Sequence, residues 1–210
     1  SLDDVVHEVS LTQGWLTPPN EVEFYRDIYP FFASATHYSW VNAEAYRGHG
    51  AGAQGNFLND EYLKNLMDNS DKSATLRQRL FSRIRIPLTL TDQATAKAQA
   101  TLRYMPLLSG DGGDATNGIA ENWLSLLPEQ YKRLQAWANG NFSVGTPNTP
   151  MPLDLLPIAE QPAALDRGSL QACVGGPFYP GIEMTFISTH AVNIAMFFCN
   201  RLSHLPRKNF

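Results

Sequence analysis

Two cysteines, Cys173 and Cys199, are all that the 210 residues contain. Two are too few for a structural zinc site, and no Cys-x-x-Cys occurs. One disulfide is open to them, but nothing in the sequence fixes the geometry it requires. Charge is also scarce. Asp, Glu, Lys and Arg make up 17% of the chain, against an ordinary ~25%, so either the surface is charge-poor or other protein covers part of it. The net charge of −4 argues against a nucleic-acid partner, which demands a basic footprint. No apolar run approaches the ~18 residues of a membrane span, so no membrane partner is expected. The chain opens Ser-Leu-Asp-Asp, with neither Met nor a basic-then-apolar leader, and localisation stays open.

The catalytic motifs that are missing exclude as much. The glycine-rich stretch 110–118 (GDGGDATNG) is not followed by Gly-Lys-Ser/Thr, which removes the phosphate-loop reading. Asp111, Asp114 and Asn117 stand three apart rather than two, and Glu121 lies ten past Asp111. The spacing favours Asx-turns over a calcium loop, and metal binding at Asp111/Asp114 is left undecided. Five histidines, His7, His37, His49, His190 and His204, form no His-x-x-x-His, and there is no Gly-x-Ser-x-Gly elbow.

What is present reads as mainly α, with irregular Gly/Pro-rich connections and few short strands. Hydrophobic residues at 43% and aromatics at 11% are globular values. Helices are expected near 21–41, 61–68, 75–84, 128–139 and 166–174. The first opens on Asn20 with Glu23 three residues on, resembling a capping box, and Pro30 should break or kink it. Residues 48–55 (GHGAGAQG) are loop, 85–90 is a short strand or an extended link, and Ala-rich 92–104 fits a helix. Pro128 sits at a first helical position and Gly140 just past the end. The Pro-rich stretch 143–162 is an irregular crossing segment rather than a hinge, and 1–210 reads as a single segment. Asp166 is expected as the N-cap of the helix at 166–174, with Leu165 and Leu170 as its hydrophobic staple.

Cys173 lies where that helix ends, before Gly175 and Gly176. The partial negative charge at a helix C-terminus disfavours a thiolate. The residues alone leave two readings, a small buried packing residue or a sulfur consumed in a covalent link.

Three segments add a resemblance: 105–114 (MPLLSGDGGD), 122–142 (NWLSLLPEQYKRLQAWANGNF) and 164–187 (ALDRGSLQACVGGPFYPGIEMTFI). They resemble the quinoprotein amino-acid oxidases, the lysine ε-oxidase and glycine oxidase type, over about residues 15–202. That span matches a middle-to-late part of longer proteins. The resemblance implies a segment of the catalytic domain of a larger α+β enzyme. It implies a cysteine tryptophylquinone, in which Cys173 of the Cys-Val-Gly-Gly motif matches the cross-linked cysteine. The family's tryptophan lies downstream in a Pro-Trp-Gln-Ala-Asp-Phe motif that this chain lacks. Trp15, Trp40, Trp123 and Trp137 all precede Cys173. The chain by itself is therefore expected to be inactive, either a fragment or a degenerate member.

Within that resemblance, Gly175, Gly176, Phe178 and Tyr179 are expected around the cofactor. His204 is the candidate base, with His190 behind it, and Glu183 is a candidate for a polar site or a maturation role. The implied reaction is oxidative deamination of a primary amine, releasing ammonia and hydrogen peroxide. The implied partners are an amino-acid substrate, oxygen, the remaining polypeptide of the family protein and a flavoprotein maturase. The alternative is a non-catalytic protein of the same fold, a binding or assembly module in which Cys173 merely packs.

Overall fold

The computed structural model describes residues 1–40, 43–107, 118–147 and 151–172. Eight α-helices run through them: α1 (Leu2–Thr12), α2 (Tyr29–His37), α3 (Ala43–His49), α4 (Asp60–Met67), α5 (Ala74–Phe81), α6 (Gln93–Gln99), α7 (Pro128–Ala138) and α8 (Gln161–Ala172). Strand-like pairing among the described residues is limited to two isolated parallel bridges, Glu23 with Ser143 and Ile84 with Met105. The mainly helical expectation holds. Residues 6–157 form one compact unit, and residues 1–5 with 158–172 belong to another.

The best-signposted helix forms as its sequence dictates. Pro128 occupies the first turn of α7, where its missing N–H costs nothing. Leu127 has no acceptor to offer as a cap, so Gln130 Oε1 reaches back to the Leu127 N–H at 3.2 Å. At the other end Gly140 takes φ +80°. Its N–H bonds the Trp137 carbonyl at 3.0 Å and the Asn141 N–H bonds that of Ala136 at 2.9 Å, the paired closure of a Schellman turn. In α4, Asn59 caps the N–H groups of Glu61 and Tyr62, and in α6 Asp92 caps Thr95.

Several expectations need correction. The segment 21–41 is not one helix from Asn20. Residues 22–23 run extended, and the chain from Val22 to Tyr25 pairs with 143–144, with Ser143 N–H to Val22 O at 2.9 Å and Phe24 N–H to Ser143 O at 2.8 Å. A five-residue π-turn, Phe24–Ile28, follows before α2. Pro30 lies in the first turn of α2 and so opens that helix rather than ending one. Asp166 is not an N-cap. It lies within α8, which starts at Gln161 with Pro162 in its first turn. The Leu165–Leu170 staple falls with it, because Pro162 opens the helix four residues before Asp166 instead of belonging to the crossing segment. Helices α1 and α3 have no counterpart in the sequence reading. Segment 85–90 resolves into the Ile84–Met105 bridge and a single 3-10 turn, Leu88–Leu90.

The core of the larger unit gathers Phe24, Ile28, Phe32, Leu66, Leu134 and Trp137, each 2% exposed or less. Each such side chain contributes roughly 1.5–3 kcal/mol. Phe32 meets Trp137 edge-on with ring centroids 5.2 Å apart. The Trp137 indole N–H donates to Leu66 O at 2.9 Å, which ties α7 to the end of α4. A second, smaller cluster (Ala96, Ala100, Ala120 and Trp123) lies under α6.

Candidate functional site

The chain around the smaller cluster has little regular structure, so its carbonyls need other donors. Arg85 supplies them. It is 2% exposed, and each of its five N–H groups meets a backbone carbonyl. Nε donates to Gln99 O (3.0 Å). Nη1 donates to Pro106 O (2.8 Å) and Leu124 O (2.6 Å), and Nη2 to Thr101 O and Tyr104 O (both 3.1 Å). The guanidinium also lies 4.7 Å from the Trp123 ring centroid, a cation–π distance. Burial pushes Arg85 down to about 10, still far above neutrality, so it stays charged. The backbone adds Arg85 N–H to Met105 O (2.8 Å) and Met105 N–H to Arg83 O (2.7 Å). The Met105–Pro106 peptide is cis. Arg85 thus fixes the chain that leads into the Gly/Asp-rich stretch 110–118.

Beside this knot lies a shallow depression of about 260 Å³, lined by Leu88, Asp92, Lys97, Gly118 and Glu121 among others. Its acid nearest the helix is already engaged. Asp92 accepts from Thr95 N–H and Thr95 Oγ1, both at 2.9 Å, and these bonds hold its carboxyl below the usual range. No group of three His, Cys, Asp or Glu side chains among the described residues is placed to hold a metal.

Cys173, Gly175, Gly176, Phe178, Tyr179, Glu183, His190 and His204 lie outside the described residues, as do Asp111 and Asp114. Cys173 follows directly in sequence on Ala172, the last residue of α8. The tryptophans that are described do not fit a tryptophylquinone. Trp137 is 1% exposed and wedged in the core with its N–H committed, and Trp123 lies 5% exposed under Arg85. Neither offers the ring an amine would have to reach. Trp15 and Trp40 are 72% and 87% exposed, without the enclosure that excludes water from a reactive carbonyl. Sequence reasoning did not single out Arg85. Its signal was an arginine between apolar neighbours, Ile84 and Ile86, in a segment that alternates Arg-Ile-Arg-Ile without helical period.

Residues 106–209 match the family model for the L-lysine epsilon oxidase C-terminal domain. Just under half of the chain is thus similar to the lysine oxidase family. Among curated proteins it is similar to the L-lysine 6-oxidase of Marinomonas mediterranea, 35% identical over 92 residues, which is 40% of this chain and 11% of that protein. The chain thus spans about a ninth of the length of the curated relative it matches. No solved structure matches it. The family match begins at Pro106, whose carbonyl Arg85 holds, and runs past every sequence-predicted site residue from Cys173 to His204.

Proposed function

We propose that this chain is part of an amino-acid oxidase-like quinoprotein that deaminates a primary amine, of lysine or glycine type, oxidatively. In that reaction the amine gives up two electrons and two protons, one from its carbon and one from its nitrogen, to dioxygen. Water replaces its nitrogen, and the products are a carbonyl compound, ammonia and hydrogen peroxide. The single observation carrying this reading is the family match over 106–209, which takes in the Cys-Val-Gly-Gly and Pro-Gly-Ile-Glu motifs together.

Cys173 is proposed as the sulfur of a cysteine tryptophylquinone whose tryptophan comes from outside these 210 residues, since the described tryptophans do not fit. A quinone of this kind supplies an electrophilic carbonyl and a two-electron sink. His204 is the proposed base, a residue type whose proton affinity suits work near neutrality, and Glu183 serves the polar site or the maturation of the cofactor. The remaining family polypeptide and a flavoprotein maturase are the proposed partners.

The test is peptide mapping of the complete protein. A Cys173 peptide joined to a tryptophan peptide is expected. The cross-link removes two hydrogens, and two carbonyl oxygens stand in place of two more. The thiol is expected to resist alkylation. A free, alkylatable Cys173, or a Cys173–Cys199 disulfide, overturns the cofactor assignment, because one sulfur cannot serve both bonds.

A further inference from the structure

We propose that the surface around Arg79, Arg83 and Arg103 is a docking site for an acidic segment of a partner polypeptide. The proposal stands independently of the oxidase reading, and its first ground is the distribution of charge. Residues 74–105 hold six basic residues, Arg77, Arg79, Arg83, Arg85, Lys97 and Arg103, and one acid, Asp92. That stretch carries +5 in a chain of net charge −4, so the rest carries −9. A patch of one sign on a chain of the other sign steers and orients a partner of complementary charge.

The single acid does not neutralise the patch. Asp92 turns both its oxygens to Thr95 at the start of α6. Arg85 is held by carbonyls, which satisfy its donors and leave its charge in place. Arg77 has the Asp68 carboxyl nearby, and the three exposed arginines have no such neighbour. Among the described residues none of Arg79, Arg83 and Arg103 forms an ion pair. Elsewhere in the same unit arginines do find carboxylates, Arg26 with Glu23 and Asp27, Arg47 with Glu44, and Arg133 with Asp27.

The fold keeps these cations together. Arg83 Nε donates to Arg103 O at 2.9 Å, and Met105 N–H donates to Arg83 O at 2.7 Å. The Arg83 guanidinium is thereby pinned at Arg103, with four Nη N–H donors that no described residue accepts. Arg79 lies one turn earlier, where α5 closes through Ser82 N–H to Gln78 O and Arg83 N–H to Leu80 O. All three residues are exposed.

The donors define the occupant. Guanidinium forks take carboxylates two bonds at a time. A compact phosphate calls for converging backbone N–H groups, and those here are committed. Arg83 and Ile84 donate to Leu80 O and Phe81 O, Arg85 and Met105 to Met105 O and Arg83 O, and Arg103 to Thr101 Oγ1. A nucleic acid would bring a long polyanion against the −9 of the remaining chain. Carboxylates spaced along a peptide match separate forks, and Leu102, 58% exposed beside Arg103, offers that peptide an apolar contact.

Titration of the full 210-residue chain with an octaglutamate peptide, followed by amide chemical shifts, tests this. The amides of 79–83 and 102–105 are expected to move together and saturate, and the affinity to weaken about tenfold between about 0.05 M and about 0.3 M salt. Arg79→Gln with Arg103→Gln removes two side chains that hydrogen-bond to no described residue, and should weaken binding about tenfold. Arg79→Lys with Arg103→Lys keeps the charges and should lose less. Arg47→Gln removes an equally exposed cation outside the patch and should leave the affinity within about twofold. Shifts scattered over the basic residues of the whole chain, equal losses in the glutamine pair and in Arg47→Gln, or tighter binding of inorganic phosphate or of a single-stranded oligonucleotide at the same amides overturns the proposal.

Discussion

Two arginines are buried to the same extent in this protein, and they are buried in unlike surroundings. Arg77 is 2% exposed at the rim of the large aromatic core. Its Nη1 donates to Asp68 O and to Ser70 O (3.1 Å), and its Nη2 to Asn69 O (3.4 Å). Its Nε has no hydrogen-bond partner among the described residues, and its guanidinium lies 5.8 Å from the Phe142 ring centroid. Arg85, equally buried, satisfies every donor and lies closer to its aromatic face. Arg77 closes one turn between two helices that already pack against an apolar core. Arg85 holds together a stretch with one seven-residue helix, α6, no sheet among the described residues and a four-residue apolar cluster. Where regular hydrogen bonding is missing, a buried cation with five donors replaces it, and removing that cation leaves carbonyls orphaned rather than a cavity.

The comparison breaks most sharply at Arg85. Arg85→Ala strands five carbonyls and is expected to cost about 3–5 kcal/mol, read as a collapse of the urea midpoint or as loss of the folded chain. Arg85→Lys restores the charge with three donors in place of the planar fork and should recover less than half of that loss. Arg77→Ala should cost less, about 2–3 kcal/mol, because fewer carbonyls lose partners and the core beneath remains. If the two alanine variants unfold at the same denaturant concentration, the distinction between the two cages fails.

Gly140 sharpens the Arg77 side. At φ +80° a Cβ would lie 2.9 Å from Asn69 O and 3.1 Å from Arg77 Nη2, so Gly140→Ala combines backbone strain with a push on the cage. About 1–2 kcal/mol is expected, with no effect near Arg85. Chemical shifts that move around Trp123 as much as around Phe142 would contradict this.

The smallest effect concerns Asp68. Hydrogen bonds from Ser70 (side chain and N–H) and from Ser73 Oγ, with the Arg77 charge nearby, hold its carboxyl at about 2. The folded state therefore binds this proton less tightly than the unfolded chain, whose group titrates near 3.8. The stabilisation is complete above that unfolded value and is lost as pH falls through about 2. A carboxyl-carbon titration should show the low midpoint, and Ser73→Ala should move it upward. An ordinary midpoint in the intact protein would remove Asp68 from the Arg77 surroundings.

The legibility of the sequence follows the same division. The helices at 60–67, 74–81 and 128–138 announce themselves through caps, spacing and a terminating glycine, all of them interactions within a few residues. Around Arg85 the partners are 14 to 39 residues away, and no periodicity encodes them. The π-turn at 24–28 hid for a similar reason, since pairing with Ser143, more than a hundred residues on, decides it. The proposed cofactor cysteine was legible through motif resemblance alone, with no local physics strong enough to single it out.

By itself, the sequence determined that the chain is mainly helical, where α4, α5 and α7 lie, and that the motifs around Cys173 resemble those of amino-acid oxidases. These rest on local backbone chemistry or on ordered strings of residues. Only the tertiary structure decided that Asp166 lies inside a helix, that Trp123 and Trp137 are spoken for, and that Arg85 rather than a strand organises the middle of the chain. Each depends on which carbonyls and rings the fold brings together, and a buried polar group takes its meaning from its partners.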